Sequence, residues 1–525
     1  MPWIEESAIH STSGPLPFTR SAIDKVEAAL AKVGAPNGHS ATTSHVFFTL
    51  ILCLAITVIP IAAHFVSPAL AIACHFLLVS GTALFLTPMA PLVVVFSLIF
   101  QNMFVSIFSD FLVDQNDYNF VRGYNFLTMM ILWLWLFGQY GLNWRSYGRT
   151  VNRIMGAGLI GFGLIGVYFL LGMAKNPSGA IIYLRNIISP LVIFQIFFLT
   201  SLRSRQPLTP FFVTITILVI ILGFIEMLDR ELWLDMVNGW RLWEVGNREA
   251  VLGLVADKSA KETGLIVRNI LDTMRVAFLN TPLLGENSFV ILRMSGPNIH
   301  AISYSYVLAF LSILMLMNRR WYLTLPIIPL LLLASAKGSM IMMLLAFSAL
   351  LARKLFGAVF AIGALLFVLA VYIGLGIITG LNIGDFHVLG FMGGVYNFIG
   401  YPFGNGLGDG GNLVSNFNNL DWPAYQAAGR TPIAMESAVG VMLHQMGIAT
   451  FGLLAVYAWI AAQTYKVSLE SRINLHSIAS FILIIVMVNG IFQEEAIFSP
   501  LALGLIMGLN GHILGQASGR DDTSQ

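Results

Sequence analysis

Charge is scarce in this sequence. Only 10% of its 525 residues are Asp, Glu, Lys or Arg, against 57% that are apolar, and the mean hydropathy is +0.80. A soluble globular domain carries roughly a quarter charged residues, so a soluble fold is excluded and a polytopic membrane protein remains. Cationic runs are missing as well: 28 Lys and Arg stand against 26 Asp and Glu, which leaves no extended basic surface for nucleic acid. Cysteine is nearly absent. Cys53 and Cys74 both fall in apolar runs, where they read as packing residues rather than a disulfide framework or a thiolate metal site. The histidines are scattered without pairs at ligand spacing, and no glycine loop ending in Lys-Ser/Thr offers a nucleotide site. Neither metal nor cofactor is expected.

What the chain has in abundance is long apolar runs. The first 44 residues are polar, contain Pro15, Pro17 and Pro36, and lack the short apolar core of a cleavable secretion signal. They read as a cytoplasmic tail with an amphipathic helix across Ser21 to Lys32. From His45 onward, apolar stretches recur at the length of roughly 17 to 25 residues that crosses a bilayer as a helix. The expected fold is all-α and polytopic, with about 14 transmembrane helices (range about 12–14) over 45–66, 69–87, 89–109, 123–141, 154–173, 187–202, 210–228, 299–317, 321–335, 338–352, 356–379, 435–462, 474–492 and 498–515. The expected organisation is a tail over 1–44, helices over 45–228, a long loop over 229–298, helices over 299–380, a second long loop over 381–434, helices over 435–515, and a tail over 516–525. Basic clusters recur in the short loops of one side: Arg145, Arg149 and Arg153; Arg203 and Arg205; Arg319 and Arg320; Arg353 and Lys354; Lys466 and Arg472. Cytoplasmic loops are enriched in this way, so both termini are expected inside and both long loops outside, where the chemistry is sought.

The first long loop opens with Trp233, Met236, Trp240 and Trp243, spaced for one face of a helix lying along the membrane surface. Leu265 to Phe278 repeats the amphipathic pattern with Arg268 and Arg275 on a shared face. Such helices read as interfacial anchors and equally as a cover over a lipid-linked substrate.

Ionisable groups at membrane depth invite a functional reading because they are costly there. Lys337 sits in the turn Ser335-Ala336-Lys337-Gly338-Ser339 between two apolar runs. It reads either as a snorkelling lysine or, given the small residues around it, as a phosphate ligand. Glu436 opens an apolar helix expected to reach Ile460, either as a cap favoured by the helix dipole or as a general base. His444 lies eight residues on, about 12 Å deeper, and reads as a packing residue or a substrate contact. Gly404, Gly406 and Gly408 form a Gly-x-Gly-x-Gly loop that permits close backbone approach, with no strand-to-helix context for a dinucleotide. Asp114 and Asp117 occupy a small outward loop without a metal set.

Four segments in order resemble the family of O-antigen ligases and Wzy-type polysaccharide polymerases. They are Arg293-Met294-Ser295-Gly296-Pro297-Asn298 with His300-Ala301, then Ser335-Ala336-Lys337-Gly338, then Gly404 to Gly408, then Glu436-Ser437 followed by Gly447-Ile448. The likeness spans roughly residues 210 to 515. Two departures accompany it: Lys337 stands where the family usually has Arg, replacing a planar fork by a point charge, and Glu436 stands where ligases often show His, which suits the polymerase branch.

The resemblance implies a metal-independent glycosyltransferase of the bacterial inner membrane. It would act at the periplasmic face on saccharides linked to undecaprenyl diphosphate, among membrane lipids and beside the flippase and chain-length regulator of the same pathway. Such a donor needs cations for the departing diphosphate and a base for the acceptor hydroxyl. Arg293, Lys337 and Arg430 are the expected cations and Glu436 the base. Arg185, Arg241, Arg248, Arg268 and Arg275 are further candidates for binding diphosphate or acidic sugars, with Gly404, Gly406, Gly408 and His444 beside the substrate. Polymerisation of surface polysaccharide repeat units is the first reading and glycan ligation the alternative. From another class comes a lipid-linked oligosaccharide flippase, for which Pro60, Pro88, Pro91, Pro190, Pro326 and Pro329 could break helices.

Overall fold

The computed structural model describes residues 38–204, 207–246, 270–280, 289–412 and 421–521. The chain divides into two compact units, Met1–Ile51 and Leu52–Gln525. Of the first, residues 38–51 are described and are helical; the expected tail helix over 21–32 lies outside the described residues. The bundle and its cavities belong to the second unit.

Helices come in the order α1 (Gly38–His64), α2 (Pro68–Phe85), α3 (Ala90–Ile107), α4 (Gln115–Arg122), α5 (Tyr124–Leu142), α6 (Arg149–Met173), α7 (Pro177–Arg203) and α8 (Thr209–Leu228). The first long loop then holds α9 (Arg230–Met236), α10 (Gly239–Gly246), α11 (Ile270–Met274) and two strands, β1 (Arg275–Ala277) and β2 (Val290–Leu292). There follow α12 (Ala301–Met317), α13 (Trp321–Thr324), α14 (Ile327–Ala334), α15 (Lys337–Phe356), α16 (Ala358–Ile383), α17 (Phe386–Gly400) and α18 (Trp422–Ala428). The chain closes with α19 (Ala438–Met446), α20 (Ala449–Ser471), α21 (Asn474–Asn489), α22 (Glu494–Phe498), a π turn over Pro500–Gly504, and α23 (Leu505–Asp521).

Among the described residues nine helices are long and apolar enough to cross a membrane, and Ala301–Met317, Trp321–Ala334 and Asn474–Asn489 are shorter apolar helices. This is a helical, multi-pass architecture by length and composition. Helices with apolar residues all round belong inside such a bundle, and Ser303 to Met315 of α12 are buried on every face. α7 is central in the same way, buried continuously from Ser189 to Ser201. Against it lies α23, whose Gly511 and Gly515 meet the Phe194 and Phe198 carbonyls so closely that a Cβ would collide, with Gly508 tight against Ile193 and Phe197; small residues let helix backbones approach where no hydrophobic drive separates helix from lipid. α16 is the opposite case: little of it is buried by the other described residues, and its exposed surface is largely apolar.

Several expectations about continuity are corrected. The run over 435–462 is two helices, α19 and α20, broken at Gly447 with φ 52°. A Cβ on Gly447 would strike the Pro402 carbonyl. The run over 321–335 is interrupted between α13 and α14, where Pro326 lies, and the run over 498–515 opens with the π turn and continues to Asp521, past the expected tail boundary at 516. The Trp233–Trp243 helix is broken at Asn238, φ 53°; Trp233 is buried with Leu234, Val237, Ile270 and Met274, while Met236 is exposed. The expected helix to Phe278 ends at Met274 and turns into β1, which pairs antiparallel with β2, Arg275 opposite Leu292. The first loop therefore carries a small sheet, with helices elsewhere among the described residues.

Candidate active site

The sequence Arg293 to His300 is fixed first by a buried carboxylate. Glu226, fully buried in the last turn of α8, accepts the backbone N–H of Ser295 and of Gly296, each at 2.8 Å, and the Ser295 hydroxyl at 3.2 Å. Gly296 has φ 61°, and a Cβ there would enter the Tyr304 ring, which accounts for glycine at this point of the turn. Arg230 donates to the Arg293 carbonyl at 2.8 Å, the Arg293 N–H donates to Met274 O at 2.8 Å, and Arg293 Nε donates to Ala334 O at 3.2 Å. Arg293 is thus tied to both the first loop and the end of α14.

Around this segment three cavities of about 380, 290 and 130 Å3 share one residue, His300. The largest is lined by Arg122 of α4, Arg185 of α7, His300, and Glu494 and Glu495 of α22. The second contains Arg293, Trp243, Leu242, Met274 and Ile302. His300 caps α12: its Nδ1 accepts from Ser303 N at 3.3 Å, which places the proton of a neutral ring on Nε2. Burial lowers the His300 pKa, Glu495 opposes this, and Arg122 and Arg293 add to it. His300 is exposed and lines all three cavities.

Glu495 is the electrostatic centre, its charge acting on Arg293, His300, Glu436 and Glu494. Burial pushes the Glu494 carboxyl up to about 8, helped by Glu495 and Glu436 and opposed by the Tyr183 hydroxyl, which donates to Glu494 Oε1 at 3.4 Å. Glu494 is therefore largely protonated at neutral pH. Among the described residues neither Arg122, Arg185 nor Arg293 forms an ion pair. Arg122 donates to Tyr118 Oη at 3.1 Å. Three guanidiniums facing cavities without a contacting carboxylate leave room for an anion.

The expected site residues divide. Arg293 and Arg185 line cavities. Glu436 stands just behind: its N–H donates to Asn412 Oδ1 at 3.2 Å, and Asn412 lines the largest cavity. Its carboxylate lies 3.6 Å from His387 Nδ1, and burial raises its pKa against the pull of His387. Glu436 is not the first residue of a helix, as expected, but sits in the left-handed region at φ 57°, and Ser437 is the cap, accepting from Gly440 N. Ile299 and Ser335 share this uncommon conformation, at φ 53° and φ 50°; such residues collect at functional sites. Lys337 is exposed and lines none of these cavities, with Asp385 its electrostatic partner. The turn behind it is fastened to the same place, because Asn489 donates to Gly338 O at 2.7 Å and Tyr306 donates to Gln493 at 3.0 Å.

The remaining candidates lie elsewhere. Arg430 stacks on Tyr396, its Cζ 3.3 Å from the ring centroid. Arg241 pairs with Glu244 on the surface at 3.3 Å, and Arg275 is exposed on β1. Arg248 and Arg268 lie outside the described residues. His444 is buried beside Gly410, 3.7 Å from Asp409, and lines none of the three cavities. Gly404, Gly406 and Gly408, with φ of 73°, 97° and 85°, pack directly on the backbones of Met446, Gly172 and Ala180; the loop knots α6, α7 and α19 together and delivers Asn412 to the cavity.

Sequence reasoning passed over Arg122, Glu494, Glu495 and His387, and quoted His300 only as part of a motif. One signal was available. Gln493-Glu494-Glu495 fills the short turn between two apolar runs, the same situation that singled out Lys337. The site also lies at the helix ends opposite the basic clusters: on α7, Arg185 and Arg203 are about 27 Å apart at 1.5 Å per residue.

No protein-family model matches the chain, and no curated protein is significantly similar to it.

Proposed function

We propose that the protein is a membrane glycosyltransferase that moves a saccharide from a polyprenyl diphosphate, of the undecaprenyl kind, to a saccharide hydroxyl, extending a surface polysaccharide. One observation carries this reading: Arg122, Arg185 and Arg293, none of them in an ion pair among the described residues, line adjoining cavities, the largest of which also contains Glu494 and Glu495. The acceptor oxygen forms a bond to the anomeric carbon as the bond from that carbon to the diphosphate oxygen breaks. The electron pair leaves on the diphosphate, where the guanidiniums stabilise it, and the hydroxyl proton passes to a carboxylate. Glu495, which lines the cavity, takes the base role expected of Glu436, and Glu436 acts behind it through Asn412. In-line displacement of this kind inverts the anomeric carbon.

The resemblance to ligases and polymerases supports the same reading, and the clustering of basic residues at the opposite helix ends supports a site on the periplasmic side. A second reading, a flippase for the same lipid-linked saccharide, is favoured by the broken backbone at the site, since Pro500 and Leu501 of the π turn line the largest cavity. Deleting the gene and sizing surface glycans separates the outcomes. Single repeats left on outward-facing lipid support a polymerase, and long chains lacking their final acceptor a ligase. Repeats confined to the cytoplasmic leaflet sink the transferase reading in favour of the flippase.

A further inference from the structure

The largest cavity is unusual in one residue type. Five asparagines line it, each from a different segment: Asn102 of α3, Asn125 of α5, Asn186 of α7, Asn298 of the turn before α12, and Asn412 after the glycine loop. Two are committed in part to the protein. Asn102 donates to the Asn298 carbonyl at 2.8 Å, and Asn412 accepts from Glu436 N. Asn298 is 3% exposed and its Oδ1 has no partner. Asn125 and Asn186 are only partly buried, and no hydrogen bond ties either side chain to the described residues.

A carboxamide both donates and accepts. A cavity needing only to hold a diphosphate gains nothing from acceptor oxygens, because phosphate oxygens only accept. A ligand carrying hydroxyl or acetamido groups matches both halves of each amide. The remaining wall supplies apolar faces from Phe126, Met129 and Phe498 for the C–H faces of a sugar ring. The volume of about 380 Å3 lies in the range of small-molecule sites, roughly 300–1,000 Å3.

We infer that the asparagine-lined cavity is a saccharide subsite, holding a sugar through Asn125 and Asn186 while Arg122 and Arg185 hold the adjoining diphosphate. The inference rests on the transferase reading only for what the sugar is attached to.

The test uses the full chain in detergent and two kinds of probe: the methyl glycosides of glucose, galactose and N-acetylglucosamine, followed by saturation-transfer difference NMR, and inorganic pyrophosphate, followed by its effect on thermal unfolding. At least one glycoside should receive saturation from the protein. Asn125→Ala and Asn186→Ala should each weaken that binding about tenfold, the scale of a lost buried hydrogen-bond partner, and leave the pyrophosphate effect in place. If one variant does not fold, the other decides. Glycoside binding that neither substitution changes, or no binding by any of the three, overturns the inference. Asparagine-dependent saccharide binding in a protein that performs no glycosyl transfer would instead retire the transferase reading and keep the subsite. Transfer that persists with asparagine-independent saccharide binding would do the reverse.

Discussion

Glu494→Gln is the sharpest single perturbation available. The carboxyl is shifted from 4.5 to about 8 by burial and by two neighbouring glutamates. Between those values the folded chain keeps a proton that the unfolded chain has released, so stability falls as pH rises through the window. The penalty is absent below about 4.5 and complete above about 8. At about 1.4 kcal/mol per pH unit it amounts to about 3 kcal/mol at pH 7 and at most about 5 kcal/mol above pH 8. Glutamine copies the shape of the protonated acid without the titration. Thermal unfolding in detergent at pH 5, 7 and 8.5 should show parent and variant nearly equal at pH 5, with the variant increasingly the more stable at higher pH. Parallel pH profiles would refute the reasoning, because they would mean that Glu494 titrates alike in the folded and unfolded chains.

Three other outcomes are expected from the same geometry. Inorganic pyrophosphate should stabilise the parent, and Arg122→Gln and Arg185→Gln should each weaken its binding at least about tenfold, whereas Lys337→Gln, outside the cavities, should alter it little; titrated melting curves read all three. Gly447→Ala should cost at least about 2 kcal/mol, measured by denaturant or thermal unfolding, because the backbone conformation is strained for any L side chain and the added methyl meets the Pro402 carbonyl. Glu226→Ala should cost about 2–4 kcal/mol by the same measurement, since it strips two buried backbone N–H groups of their acceptor, and glycan transfer should fall with it as the Arg293 turn loosens.

Much of the bundle was legible because apolar length alone specifies a crossing helix. α15 was expected over 338–352 and runs Lys337–Phe356. Breaks were less legible. Gly447 is one glycine inside an apolar run, and its role depends on Pro402 and Gly404, which only the folded chain brings beside it. Asn238 likewise breaks the tryptophan helix where packing divides its second half: Trp240 and Trp243 stay against the Trp233 cluster, while Leu242 and Val245 enter another.

At the site, Arg293 was legible through the Arg293 to Asn298 motif, and Arg185 as a further basic candidate for diphosphate or acidic sugars. Glu494 and Glu495 escaped because a short acidic turn looks like ordinary solvated sequence until its neighbours are known. The five asparagines carry no local signal at all. They are scattered from residue 102 to residue 412 through helices, a turn and a loop, and only tertiary packing gathers them around one space. The glycine loop shows the converse: a pattern associated with ligand approach is used for backbone contact between helices.

The central claim is that guanidiniums without an ion pair among the described residues hold a polyprenyl diphosphate while its saccharide is transferred. Reconstitution in liposomes with an undecaprenyl diphosphate-linked oligosaccharide tests it most directly, by following free undecaprenyl diphosphate and the length of the lipid-linked glycan together. The account predicts that both increase in step with the parent protein and that neither does with Arg185→Gln. Intact donor crossing the bilayer without elongation, or elongation undiminished in Arg185→Gln, would contradict it.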